Sequence, residues 1–213
     1  MTERVPFPFT PEDDARVAQC LRTEGLLAFP TETVYGLGGN ALSEAVVRRV
    51  YEAKGRAGEK ALPVLATPEQ VWELAVWDDP RVDALMAQFW PGPLTLVLPA
   101  HPQLPEFLRG PNGTIAVRHS PAPVVQALLK LGGTPLIGTS ANRSGGPAPI
   151  TAAEVRAQLG GDVDRIIDAG ECPGGVPSTV LDATRPVPVL LRAGAVALAQ
   201  IEQAIGMPVT RGR

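Results

Sequence analysis

The sequence predicts a mixed α/β fold: one domain over residues 1–213, built on a twisted sheet of parallel and antiparallel strands flanked by helices. Three observations carry that expectation. Apolar runs of strand length alternate with amphipathic stretches that open on helix-capping residues. The second half holds several short strands with no helix between them, which calls for antiparallel as well as parallel pairing. No internal repeat, low-complexity tract or long linker divides the chain, so the core is expected from residue 12 to residue 205.

Thr10-Pro11-Glu12-Asp13 opens the first helix: threonine caps, proline suits the first turn, and acids favour the positive helix end. Val17, Cys20 and Leu21 recur at helical spacing until Gly25. Leu26 to Phe29 reads as a buried strand, and Ser43 starts a helix with Val46, Val47, Val50 and Tyr51 on one face. Ala61 to Ala66 is a short strand. Thr67-x-x-Gln70 is a capping box with a helix behind it, and another helix covers Pro80 to Phe89. Leu94 to Leu98 and Thr114 to Val117 are strand-like. Pro121 to Leu131 is helical, ending at Gly132-Gly133, and Leu136 to Gly138 is a strand. Thr151-x-x-Glu154 is a second capping box, for a helix to Leu159. Arg165–Asp168, Ser178–Asp182 and Val187–Leu191 read as strands, and Ala195 to Ile205 as the last helix.

Composition works mainly by exclusion. A net charge of −3 does not mark a nucleic-acid binder, although a basic patch can sit on an acidic total. Aromatics at 5% leave few platforms for stacking-type RNA recognition. Two histidines and two cysteines supply neither a metal cage nor a disulfide framework, so no metal ligands are expected. Cys20 belongs to a helix and reads as core, whereas Cys172 sits in a Gly/Pro loop. Met1-Thr2-Glu3-Arg4 has no signal-peptide character, and no apolar run approaches the ~20 residues of a membrane span. The expected compartment is the cytoplasm.

Chemistry concentrates in six segments. In Pro30-Thr31-Glu32-Thr33-Val34-Tyr35-Gly36-Leu37-Gly38-Gly39, hydroxyls, a carboxylate and a phenol run into glycines; this reads as a loop where backbone comes close to a ligand. Lys54-Gly55-Arg56-Ala57-Gly58-Glu59-Lys60 sets three cations among small residues, which suits a polyphosphate or a solvated turn. It lacks the Walker order. Arg118 leaves the buried strand Thr114–Val117, where a cation needs an anion. Either a substrate carboxylate or one of the chain's own acids meets that need, and neighbouring His119 is a base or an exposed strand end. Gly138-Thr139-Ser140-Ala141-Asn142-Arg143-Ser144-Gly145 offers donors to phosphate or ribose oxygens, or forms a plain turn. Gly174-Gly175-Val176-Pro177-Ser178-Thr179 delivers two hydroxyls at a strand start, with Arg192-Ala193-Gly194 downstream. Trp90-Pro91-Gly92-Pro93 is a rigid turn whose aromatic packs or stacks. Together these segments point to a phosphate-bearing, nucleotide-like ligand and a small carboxylate, held by positioning and charge.

In this order the segments resemble the YrdC/TsaC family of threonylcarbamoyl-adenylate synthases. The matching strings are Pro30-Thr31-Glu32-Thr33-Val34-Tyr35-Gly36-Leu37, Lys54-x-Arg56, Trp90-Pro91-Gly92-Pro93-x-Thr95, Val117-Arg118, Ser140-Ala141-Asn142-x-Ser144-Gly145, and Ser178-Thr179-Val180-x-Asp182 with Arg192-x-Gly194. The resemblance implies a twisted mixed sheet around a concave, positively charged cavity. It implies condensation of L-threonine, bicarbonate and ATP, with Mg²⁺, into threonylcarbamoyl-AMP and pyrophosphate. The product would feed N6-threonylcarbamoyladenosine at position 37 of tRNA through a separate tRNA threonylcarbamoyltransferase complex, and members also bind tRNA or double-stranded RNA.

By the same resemblance Thr33, Arg118 and Ser178 would serve threonine. Arg56 and Lys60 would meet ATP phosphates with Lys54 adding charge, Thr114, Ser140 and Arg192 would hold the nucleotide, and Asn142 would shape that loop. Lys54 and Arg56 are the catalytic pair, and replacing either with alanine is expected to abolish adenylate formation while the fold survives. Three positions depart from relatives: Ala57 for a proline, Leu65 for an archaeal-type histidine, and Ala148 for a serine. The chain resembles the short form of the family, without an added C-terminal domain. The competing readings are a non-catalytic double-stranded RNA or tRNA module and a detached carbamoyltransferase subdomain.

Overall fold

The computed structural model describes residues 2–55 and 61–212. In chain order the elements are β1 (Glu3–Pro6), α1 (Pro11–Arg22), β2 (Leu27–Pro30), β3 (Tyr35–Gly38), α2 (Glu44–Lys54), β4 (Pro63–Leu65), α3 (Pro68–Leu74), α4 (Pro80–Phe89), β5 (Leu94–Pro99), β6 (Thr114–Arg118), α5 (Pro123–Gly132), β7 (Leu136–Ile137), β8 (Thr139–Ser140), α6 (Ala152–Leu159), β9 (Arg165–Asp168), β10 (Thr179–Asp182), β11 (Val189–Arg192), α7 (Leu198–Ile205) and β12 (Thr210–Arg211).

The helix starts follow the local chemistry of the sequence. Thr10, Thr67 and Thr151 each cap a helix and close a reciprocal box with Asp13, Gln70 and Glu154. Ser43 caps α2 through Val46 N, and Gly55 ends it in the left-handed conformation. Buried leucines and valines at helical spacing then turn α1 and α5 onto a shared core that includes Leu21, Leu27, Phe29, Leu128 and Ile167.

Hydrogen bonding divides the expected single sheet in two. One has the order β1-β9-β2-β3-β8 and the other β12-β11-β10-β5-β6-β4-β7. Both mix parallel and antiparallel pairs, for example β5 parallel to β10 and antiparallel to β6. The sheets meet where β7 passes into β8 at Gly138, whose N–H is taken by Pro63 O at 2.8 Å. Glycine is required there, because a Cβ would lie 2.5 Å from Leu65 Cγ. Leu65, where the resemblance implies a departure from archaeal-type members, is 1% exposed and belongs to the core.

A second correction concerns the segment read as a loop. Tyr35–Gly38 is a fully buried strand, antiparallel to both β2 and β8. Alternating glycines give it little intrinsic strand preference; pairing on both edges and the burial of Tyr35 and Leu37 impose the conformation.

Candidate functional site: a narrow polar pocket opening on a wide cavity

Five separate stretches meet at one narrow pocket. The β2–β3 turn brings Thr31 and Thr33, the end of β6 brings Arg118, and the β7–β8 step brings Gly138, Thr139 and Ser140. The approach to β10 and the end of β11 bring Ser178 and Arg192. Its volume is about 30 Å³, room for a carboxylate-sized group but not for a whole amino acid. Pro63, Thr139 and Arg192 also stand in the wall of a second cavity of about 750 Å³. The two spaces therefore adjoin, and the larger has the size of a cofactor or nucleotide site. Thr114, Ala116, Asp182 and Arg185 line the wide part, as does Ala61.

The narrow pocket is held by its own hydrogen bonds. Thr31 Oγ1 donates to Val34 O at 2.8 Å, accepts from Thr33 N at 3.1 Å, and lies 2.8 Å from Thr33 Oγ1. Both threonines are buried, so this turn fixes where the Thr33 hydroxyl sits. Opposite, Ser178 Oγ is 2.9 Å from Thr95 Oγ1 of β5. Arg192 wraps the same residue, donating from Nη2 to Ser178 O at 2.8 Å and to Ser178 Oγ at 3.0 Å. Gly194 lets the strands come this close: a Cβ there would fall 2.4 Å from Pro177 O.

Arg118 pairs with one of the chain's own acids and also lines the pocket. It is 6% exposed, its Nη2 lying 3.3 Å from Glu32. Its Nη1 reaches Thr33 Oγ1 only at 3.5 Å, and Nε has no hydrogen-bond partner. Burial pulls the Arg118 pKa down, the Glu32 charge opposes that shift, and Arg192 adds to it. Arg192 is lowered by burial as well. Two partly desolvated guanidinium groups thus share one small space, with the Glu32 carboxylate behind Arg118. An anion entering it would meet charge-assisted donors.

Lys54 sits elsewhere in the architecture. It is 4% exposed, and its Nζ donates to Ser140 O at 2.6 Å and Asn142 O at 2.9 Å. It ties the end of α2 to the β8 loop, and Ser144 N returns a bond to Lys54 O at 3.0 Å. Asn142 Nδ2 donates to Arg143 O and Gly146 O, closing that turn. Thr114 Oγ1 donates to Pro111 O at 2.9 Å. Arg56 and Lys60, with Ala57 between them, lie outside the described residues. His119 Nδ1 is 2.9 Å from Ala66 O and is absent from the walls of both spaces. Trp90 Nε1 donates to Leu94 O at 2.7 Å and its ring packs on the core. Cys20 and Cys172 are both buried.

Three contributors escape a reading by sequence alone: Thr31, Thr95 and Thr139. Thr31 and Thr139 stood inside flagged segments, and Thr95 inside the Trp-Pro-Gly-Pro string. Nothing local says that Thr95 abuts a serine 83 positions away. Among the described residues, no group of three or more His, Cys, Asp or Glu is arranged to hold a metal ion, and no helix is long and apolar enough to cross a membrane.

Comparison with known proteins places these features among relatives. Residues 19–194 match the family model of Sua5, YciO and YrdC proteins, described as "Telomere recombination". A threonylcarbamoyl-AMP synthase of Pyrococcus abyssi is 45% identical over 193 residues, 90% of this chain and 57% of that protein. One of Bacillus subtilis is 42% identical over 195 residues, 90% of this chain and 56% of that protein. The chain thus spans little more than half the length of these curated relatives. The crystal structure of P. abyssi Sua5 complexed with L-threonine superposes with a TM-score of 0.92 at 40% identity, over 100% of this chain and 62% of that one.

Proposed function

The chain belongs to the Sua5/YciO/YrdC family, and from that premise we propose that it makes L-threonylcarbamoyladenylate from L-threonine, bicarbonate and ATP, releasing pyrophosphate. One observation carries the reading: a carboxylate-sized pocket flanked by Arg118 and Arg192 opens directly on a nucleotide-sized cavity. An amino acid seated with its carboxylate at Arg118 would hold its amine in the shared mouth, beside whatever fills the wide space.

The chemistry follows from that placement. The threonine amine, as the free base, attacks the carbon of bicarbonate; the C–N bond forms and water leaves, giving a carbamate. A carbamate oxygen then attacks the α-phosphorus of ATP, the bond to the β-phosphate oxygen breaks, and pyrophosphate departs. Catalysis of this kind is mostly alignment and charge neutralisation. Arg118 and Thr33 hold the amino acid, with Ser178 alongside. Arg192, standing in both walls, meets the nucleotide at the junction, and Thr114 and Ser140 border it. By the family resemblance Arg56 and Lys60 would meet the departing phosphates, a role their charge suits. Lys54 acts through the Ser140–Asn142 loop that it pins. Mg²⁺ enters only as the counter-ion of the ATP substrate.

The product would serve a separate tRNA threonylcarbamoyltransferase complex making N6-threonylcarbamoyladenosine at position 37, in the cytoplasm, with direct contact to tRNA or double-stranded RNA as a further part of the reading. The deciding experiment is mass spectrometry of the products from ATP, bicarbonate and L-threonine. Threonylcarbamoyl-AMP with equimolar pyrophosphate is expected. Nucleotide binding without either product would favour the non-catalytic module, and turnover with carbamoyl phosphate in place of threonine and bicarbonate would favour the carbamoyltransferase reading.

A further inference from the structure

We propose that Glu32 is a positioning residue for Arg118. Its carboxylate, anchored by Ser120, fixes the guanidinium so that the remaining donors face the incoming carboxylate. The inference depends on reading the narrow pocket as the amino-acid site and adds to it a residue that touches no substrate. Glu32 is not in the pocket wall, although its neighbours Thr31 and Thr33 are. It stands behind Arg118 and approaches it from the far side.

The anchoring is specific. Glu32 Oε2 accepts from Ser120 Oγ at 2.5 Å and from Arg118 Nη2 at 3.3 Å, and Oε1 lies 3.3 Å from the same Nη2. Ser120 Oγ is fully buried and accepts from Ala122 N at 3.2 Å. The carboxylate is thereby bound to the turn that leads into α5. On its other side Glu32 borders a groove walled by Phe7, Pro30, Pro121, Pro123 and Val124, with Glu171 as the other charged group there and no lysine or arginine in the described wall. Its cation is Arg118. With the two side chains 7% and 17% exposed, water screens the pair poorly.

Arg118 needs such a partner. An arginine side chain is long and loses much rotamer freedom when fixed. Its other contacts are weak: Nη1 reaches Thr33 Oγ1 at 3.5 Å and Nε has none. Arg192 faces it with like charge. Without the carboxylate, a buried cation would be repelled by its neighbour and held by one long hydrogen bond.

The test compares L-threonine binding by calorimetry, and KM against kcat, in the unmodified protein and in Glu32→Gln, Glu32→Asp and Ser120→Ala. Glutamine keeps the shape and removes the charge. Since hydrogen bonds to charged groups are worth about 1.5–3 kcal/mol, Glu32→Gln should weaken L-threonine by about tenfold or more. The KM for ATP and the kcat at saturating threonine should stay within about threefold, and Glu32→Asp should recover part of the loss, as expected of a group acting only through substrate binding. A Glu32→Gln protein that binds L-threonine as the parent does, or loses ATP and threonine affinity alike, overturns the inference. Should Glu32→Gln fail to fold, Ser120→Ala decides: weaker threonine binding with unchanged ATP binding supports it, and unchanged threonine binding overturns it. Failure of the unmodified protein to bind L-threonine would overturn the reading of the pocket itself, a separate result.

Discussion

At the scale of single residues, burial decides what a side chain can do. Lys54 lies in a cluster of three cations within seven residues, a pattern that suits a polyphosphate. The fold directs its ammonium at two main-chain carbonyls. A Lys54→Met variant would leave Ser140 O and Asn142 O without that donor in a buried setting. We expect a loss of about 2–4 kcal/mol in folding stability, read as a lower denaturant midpoint, together with lost adenylate synthesis. This replaces the expectation that the fold survives removal of Lys54; a variant with parental stability would show the tie to be dispensable. Arg118 was more legible. A charged residue ending an apolar strand announces an anion, but sequence could not choose between an internal acid and a ligand. Both are compatible in three dimensions, because Glu32 reaches the guanidinium from behind while the pocket opens in front.

At the scale of elements, legibility follows locality. Helices with capping threonines and strands of continuous apolar residues stand within a residue or two of where the sequence puts them, and α4 and β9 match their expected ends. The last helix, expected from Ala195, starts at Leu198; the strands not foreseen, β1, β3, β8 and β12, are short or glycine-bearing, and they exist because a partner strand supplies the hydrogen bonds. The stretch that follows β11 likewise takes its shape from a partner, packing against the Ser178 segment, and Ala195 N donates to Pro177 O at 3.0 Å. Gly194 is pressed against Pro177 O and the Ser178 carbonyl carbon, so any side chain there must push the strands apart. Gly194→Ala should move Ser178 and Arg192 out of register and lower both thermal stability and activity. The check is a Tm measurement beside a pyrophosphate-release assay; a variant with parental values in both would show that the close approach carries no functional weight.

At the scale of the whole molecule, the site is a product of strand order. Thr33, Arg118, Ser140, Ser178 and Arg192 come from five elements or loops in two sheets, and no local pattern encodes which strands become neighbours. Motif order supplied the constituents and the family resemblance, while the convergence itself is a property of topology. The same packing buries ionisable groups that set a limit at high pH. Burial pushes the thiols of Cys20 and Cys172 up to about 11 from 9.0, and it raises the Tyr35 phenol too. The unfolded chain releases these protons first. Their stabilising contribution is therefore complete below about pH 9 and declines as pH rises through 11. Denaturant midpoints should hold steady to pH 9 and fall beyond it, in one transition if residues 1–213 form a single domain. A flat profile to pH 11 would show that these groups are more hydrated than the packing implies.

The proposed function requires one continuous hollow that receives the amino acid at its narrow end and the nucleotide at its wide end. The most direct measurement is a crystal structure with L-threonine and a non-hydrolysable ATP analogue bound. The threonine carboxylate should lie within hydrogen-bonding distance of Arg118, its amine turned to the mouth at Arg192 and Thr139, and the nucleotide between Thr114 and Arg192. Threonine bound away from Arg118, or the two ligands in spaces that do not communicate, would contradict it.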